Sequence, residues 1–436
     1  MLEALRNAIR LPELRNKLLL TLFILVVYQF AAHVPVVGVD RDALNALLSQ
    51  RNSIIDVLNL LSGGAVTHFS VLANGVYPYI TAQIIIQLLV PIWPALEAIQ
   101  REPGGREKIQ RYTYYLAIPM AMLQSIAQVN IFGALGGAPI IPGFGSDWLL
   151  TAAVMATMTA GTLFAIWLGE LITEQGIGNG ISIIIFSGIV AQAPGNITRL
   201  ITNSPQPIVS VIIFIVLLLI SLVAIILIQE GVRRVPVQYG KRVRGRRQYG
   251  GATTHIPLKV NAVGMIPLIF AQSIITLPAI IASIFPAGPV GDWFRETFGQ
   301  NQGFGYWTMY FILVVGFTFV YTDVMISNQN LADNLQRQGG FIPGIRPGKR
   351  TDDYIRTVTR RITLVGALFL GIIAVMPGIV DLLNRVIFPA ETAGTAGNAA
   401  LVLTGSALII VVGVVIDTMR QLEAQLMMRN YEGFMR

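Results

Sequence analysis

Residues 60–89 read LLSGGAVTHFSVLANGVYPYITAQIIIQLL. The first half is short and half polar, with Ser62, Gly63, Gly64, Thr67 and His68 following Leu60. A flexible joint at Asn74–Gly75 leads into an apolar, Pro-containing helix, Val76–Leu89. Crossing a bilayer takes about 20 mostly apolar residues. The first half has too few, although the segments on either side of it have enough. Interrupted backbone at membrane depth persists only inside protein or along a cavity. This half therefore reads as a stopper folded into a pore, and the rest of the chain as the wall.

The composition agrees. Of 436 residues, 54% are hydrophobic and 12% charged, and mean hydropathy is +0.64. Soluble domains carry about 25% charged residues. The class expected is an all-α polytopic membrane protein. The absence of cysteine rules out disulfides, thiol catalysis and cysteine-ligated metal clusters. The net charge of +8 is no nucleic-acid signature in itself, because placement matters more than the total. The first apolar run, Leu18–Val37, lacks the usual small-residue cleavage site and is long enough to span, so no cleavable signal peptide is expected.

Ten spans follow from the apolar runs: 18–37, 75–96, 112–132, 148–169, 181–193, 208–228, 260–285, 306–326, 362–380 and 399–416. With this assignment, 26 of the 31 Lys and Arg residues fall on one side of the membrane. Basic loops stay in the cytosol, which puts both termini there. Counting 54–73 as a further span would turn most of that charge outward, so the stopper enters and leaves from the external side. Five spans running one way and five the other give the topology of an inverted repeat. The units expected are 1–200 and 201–436, with a hinge at the Pro-rich stretch Pro194–Pro207.

Several chemistries are missing from the pattern. No Asp or Glu lies in the middle of a span; Glu170, Asp323 and Asp417 sit at cytosolic ends. Ion-coupled transporters usually carry such groups at midplane. The three histidines, His33, His68 and His255, form no His-Glu-x-x-His pair. Gly348–Thr351 lacks the upstream glycine of a phosphate loop, and Gly176–Gly180 is a turn. No cofactor or metal is expected, and no use of ATP by the chain itself. Energy has to come from a partner or from the membrane potential.

A pore needs a constriction, and aliphatic side chains close one by dewetting. Candidates on interrupted helices are Val76 and Ile80, Ile181 and Ile185 (both pairs at i, i+4), Ile269 and Ile410. Spacing alone does not separate them from packing or lipid-facing residues, since nearly every span is rich in Ile and Val. Pro78, Pro267 and Pro278 are expected to bend or interrupt helices at the expense of hydrogen bonds. Gly63, Gly64 and Gly75 are expected to let the stopper swing. Lys241, Arg242, Arg244, Arg246 and Arg247 make the densest charge run, in the loop 230–259. The neighbouring loop, 327–361, carries FIPGIRPG at 341–348, with Arg346 between two prolines. Each loop is longer than a turn requires. Both read as docking surfaces for a cytosolic partner rather than as orientation signals alone.

Four long runs carry a resemblance: LNLLSGGAVTHFSVLANGVYPYITAQIIIQLL, WLGELITEQGIGNGISIIIF, RRQYGGATTHIPLKVN with the AVGMIP that follows, and ADNLQRQGGFIPGIRPGKRT. In these the chain resembles the SecY family of protein-translocation channels over essentially its whole length. The resemblance implies an hourglass of two five-helix halves that passes unfolded polypeptides. It implies a plug at about 56–73 and a hydrophobic ring at Val76, Ile80, Ile181, Ile185, Ile269 and Ile410. Val76 is smaller than the isoleucine common there, which shifts weight onto the plug. The family opens sideways into lipid between spans two and three on one half and seven and eight on the other. Its large cytosolic loops dock the ribosome or the SecA motor, here through Arg246, Arg247 and Arg346, and the small subunits SecE and SecG complete it. The competing readings are a secondary transporter of a small solute, which wants a midplane polar site, and a membrane scaffold or enzyme.

Overall fold

The computed structural model describes residues 11–49, 64–136, 139–203, 207–239, 242–244, 247–249, 253–284, 304–329, 331–387 and 405–434. Each expected span has its helix. In order these are Pro12–Ala32, Tyr77–Leu89, Gly105–Gly136, Trp148–Gln175, Gly180–Asn203, Pro207–Glu230, Ile266–Ile284, Phe304–Gln329, Lys349–Ile387 and Gly405–Phe434. Span one presents Leu19, Leu22, Phe23, Val26 and Phe30 to the surroundings, and span six presents Ile212, Ile215, Leu219, Ile220, Val223 and Leu227. Apolar faces of this extent are out of place in water and fit a lipid environment.

Local chemistry explains several boundaries. Asp40 Oδ1 accepts from the backbone N–H groups of Asp42 and Ala43, starting a short helix, Arg41–Ser49, in the expected polar segment. Asp147 caps span four by accepting from Leu149, and Asn179 caps span five by accepting from Ser182. Inside the spans, the hydroxyls of Thr81, Thr162, Ser273, Thr318 and Thr322 donate to the carbonyl four residues back. With no water at hand, a helix satisfies its own hydroxyls in this way.

Some expectations need correction. Pro78 and Pro267 stand at the first turns of their helices, where no intrahelical donor is lost; Pro119, Pro194, Pro278 and Pro377 are the interior ones. The stretch from Pro194 to Asn203 is helix continuing span five rather than loop. Span nine begins at Lys349, so the last part of the expected loop 327–361 is helix extending past the bilayer. The charged loop after span two holds the helix Pro94–Arg101, which meets span two at 103°.

Helix pairing repeats along the chain. Span two packs on three, three on four, four on five, and span one on four and five. In the second half, seven packs on eight, eight on nine, nine on ten, and six on nine and ten. The halves meet where span seven lies against spans two and three, and where span five lies against six and ten.

On the face that carries the long basic loops, strands β1 (Val232–Tyr239), β4 (Thr253–Lys259) and β5 (Gly340–Phe341) form an antiparallel sheet in the order β4-β1-β5. Val232 stands opposite Lys259 and Gln238 opposite Thr253, while Gln238 also pairs Phe341. The sheet thus joins the two loops. A separate hairpin, β2 (Arg242–Arg244) and β3 (Arg247–Tyr249), extends from it.

Candidate functional site

The six aliphatic positions singled out in the sequence come from four helices, and the structure brings them together. Val76, Ile80, Ile185, Ile269 and Ile410 are buried in one continuous hydrophobic cluster, and Ile181 packs against it. Val76 is the residue before the span-two helix, and Ile80 donates its N–H to the Val76 carbonyl at 3.1 Å. Ile181 and Ile185 lie on the first turns of span five, and Ile269 on the first turn of span seven. Ala65 and Leu72 of the stopper belong to the same cluster. The stopper and the six positions thus share one apolar core. Nothing in the spacing of residues 60–76 sets Ala65 and Leu72 apart from their neighbours.

The described part of the stopper is a single turn of 3-10 helix, Ala65–His68, followed by an irregular buried segment. Gly64, Thr67 and His68 are in or beside that turn; Leu60, Ser62 and Gly63 lie outside the described residues. Instead of swinging freely about glycines, the base of the stopper is seated by backbone bonds. Val36 N–H donates to the Phe69 carbonyl at 3.0 Å, and Val71 N–H to the Val34 carbonyl at 2.9 Å. Ser70 N–H donates back to the Ala65 carbonyl at 3.1 Å. Phe69 holds a left-handed φ of 41° and meets Phe132 edge-on at 5.3 Å. Irregular backbone buried at this depth has to find each partner within the protein. Gly161 of span four completes the seat, since a Cβ there would stand 2.0 Å from the Val71 carbonyl oxygen. His68 and His33 face each other across the rim, ring centroids 4.6 Å apart, with His33 Nδ1 bonded to the Gln29 carbonyl at 2.7 Å.

Among the described residues the buried polar side chains are Thr, Ser, Asn and Gln; no charged one is buried. Across the contact between span two and span seven, Tyr77 Oη donates to the Ser273 carbonyl at 3.0 Å. Phe270 of span seven meets Phe317 and Tyr321 of span eight edge-on.

On the sheet-bearing face, Val235, Val237, Leu258, Leu335, Ile342 and Ile355 form a small core that fixes the sheet to the start of span nine. Arg346 is exposed on the turn after β5, and its carbonyl accepts from Thr351 Oγ1 at 3.0 Å. Arg242, Arg244 and Arg247 fall on the β2–β3 hairpin, with Arg244 opposite Arg247. Lys241 and Arg246 lie outside the described residues. The sheet connecting the two loops was not anticipated; alternating Val235 and Val237 is the signal that could have shown it.

A bundle of apolar helices around a buried aliphatic cluster that an inward-folded segment joins is the architecture of a gated membrane channel. The SecY family profile matches residues 70–419. Over 441 residues the chain is 39% identical to the protein translocase subunit SecY of Thermus thermophilus, covering 100% of this chain and 98% of that one. A solved protein-conducting channel superposes with a TM-score of 0.63 at 18% identity, over 94% of this chain and 91% of that one. A SecY structure, described as having a plug domain that stabilises the closed state and maintains a membrane seal, gives 0.62 at 18% identity over the same shares. The chain belongs to the SecY family. It is a multi-pass membrane protein and a protein-conducting channel with a plug, not a small-solute transporter.

Proposed function

We propose that unfolded polypeptide passes through the collar formed by Val76, Ile80, Ile181, Ile185, Ile269 and Ile410, and that residues 56–73 are the plug that closes it at rest. The observation that carries this reading is the single buried cluster holding collar side chains from four helices together with Ala65 and Leu72. An aliphatic constriction excludes water and ions, yet holds no charge or hydrogen-bonding group that would trap a passing chain. The contact of span seven with spans two and three is the seam through which apolar segments leave into lipid. The two halves, 1–200 and 201–436, move about the span five and span six connection. The chain is not itself an enzyme and binds no cofactor, so a partner drives transport.

The sheet and hairpin, with Lys241, Arg242, Arg244, Arg246, Arg247 and Arg346, are the docking face for the SecA motor or the ribosome. The small subunits SecE and SecG cover part of the lipid-facing wall. The membrane is the cytoplasmic one, with both termini in the cytosol, as the distribution of 26 of 31 basic residues supports. Replacing Ile80, Ile181 and Ile185 together with serine should make the resting channel conduct ions in planar bilayers. Recordings indistinguishable from the unaltered channel would sink the collar reading.

A further inference from the structure

The joint between plug and span two is tied to both halves of the molecule, and the two ties differ in kind. Asn74 is 3% exposed and its side-chain Nδ2 reaches two groups of span three, the Ala121 carbonyl at 3.2 Å and Ser125 Oγ at 2.8 Å. Ser125 Oγ donates in turn to the Ala121 carbonyl at 2.8 Å. Farther along the same face of span three, Gln128 Nε2 donates to the Ala73 carbonyl at 3.4 Å. Gln128 and Ser125 are fully buried. Parting this network would strand several polar groups where no water reaches them, and such groups are expensive to leave unpaired. The tie to the first half is therefore durable.

Three residues on, Tyr77 Oη donates to the Ser273 carbonyl of span seven at 3.0 Å. This is a neutral bond to a carbonyl on a helix, and a carbonyl has a second lone pair for its helical partner. It spans the seam. Leu72 of the plug and Val76 of the collar, members of the same buried cluster, flank Asn74 and Gly75. A displacement of this joint therefore moves Leu72 against the collar.

We propose that Asn74 and Tyr77 are positioning residues that couple the plug to the seam: Asn74, with Ser125 and Gln128, fixes the plug base to span three, and Tyr77 is the tie that breaks when span seven parts from span two. On this arrangement an opening seam carries the plug base away with span three, and a closed seam holds it on the collar. The inference rests on the collar-and-plug reading and adds to it which residues transmit the movement.

The chain has no cysteine, so single cysteines report cleanly. Ala65→Cys reports the plug, and Ser273→Cys reports the seam while keeping the backbone carbonyl that Tyr77 uses. Each is placed in the full channel complex in proteoliposomes and its rate of modification by a membrane-impermeant thiol reagent is measured. Tyr77→Phe, which removes only the hydroxyl, should raise both rates together by about fivefold, the effect of one net hydrogen bond. Asn74→Ala should raise the rate at position 65 and leave that at 273 unchanged. Ser125→Ala, a milder change, should do the same to a smaller degree. Equal rates with and without the Tyr77 hydroxyl would overturn the proposal, as would Asn74→Ala and Ser125→Ala speeding both positions alike. Thiol modification does not depend on conduction, so a failure of the collar reading appears separately, as absent ion leak in the triple serine channel.

Discussion

The plug base and the basic sheet are both irregular excursions from a helical bundle, but they are held by opposite means. Around residues 64–76 the backbone is irregular, with left-handed φ at Gly64, Phe69 and Gly75, and its N–H groups find scattered carbonyls on span one's exit and within the plug. The sheet on the other face is a regular ladder, seven residue pairs long between β1 and β4, with a small core beneath it. In the first case steric seating decides, because water cannot substitute for a lost partner. In the second, apolar burial and exposed charge decide, because one side of the sheet is solvated. Damage to one region should leave the other's work intact.

The largest expected effect tests that separation. Reversing Arg242, Arg244, Arg247 and Arg346 to glutamate should abolish partner-driven translocation while resting conductance in planar bilayers stays at the unaltered level. Translocation persisting with purified motor would reduce the loops to orientation signals. Next, Ile355→Ala removes a buried side chain that joins the sheet to span nine, and should cost about 3 kcal/mol of local stability. Hydrogen exchange should show it as faster exchange in β1 and β4, with the amides of residues 69–76 unchanged.

On the plug side, Gly161→Ala drives a methyl into the Val71 carbonyl and should unseat the plug at a cost of about 2 kcal/mol. The readout is increased resting conductance with normal partner binding; a tight channel would mean that the seat relaxes around the methyl. The smallest effect concerns His68, whose pKa is lowered by burial and then by neighbouring His33. Its protonation therefore opposes the seated plug. The contribution to seating is complete above the ordinary histidine value near 6.5 and is lost as pH falls below it. Acidifying the plug-side compartment from about pH 7.5 to about 5.5 should speed thiol modification at position 65 a few-fold, and His68→Gln should remove that pH dependence.

How much of this was legible depends on the range over which each signal acts. Hydropathy runs marked all ten spans, because a bilayer imposes length and apolarity on each helix separately. The caps Asp40, Asp147 and Asn179 act just as locally, yet the hydropathy runs did not mark them as helix starts. Prolines misled at Pro78 and Pro267, since a proline at a helix start and one in its middle differ only by where the helix begins. Pro194 misled in the other direction, read as loop and found within a helix. The collar positions could be named but not distinguished, because every span is rich in Ile and Val.

By itself, the order of residues determined that this chain crosses a membrane ten times, that its charge lies on one face, and that one half-polar segment cannot span. These follow from transfer of single side chains and single helices between water and lipid, which needs no knowledge of neighbours. Only the tertiary structure decided that Ala65 and Leu72 share one buried cluster with the aliphatic positions, that Asn74 bonds to span three and Tyr77 to span seven, and that one sheet joins the two basic loops. Those are contacts between residues up to about two hundred positions apart, and they depend on how helices pack, on which a hydropathy pattern is silent.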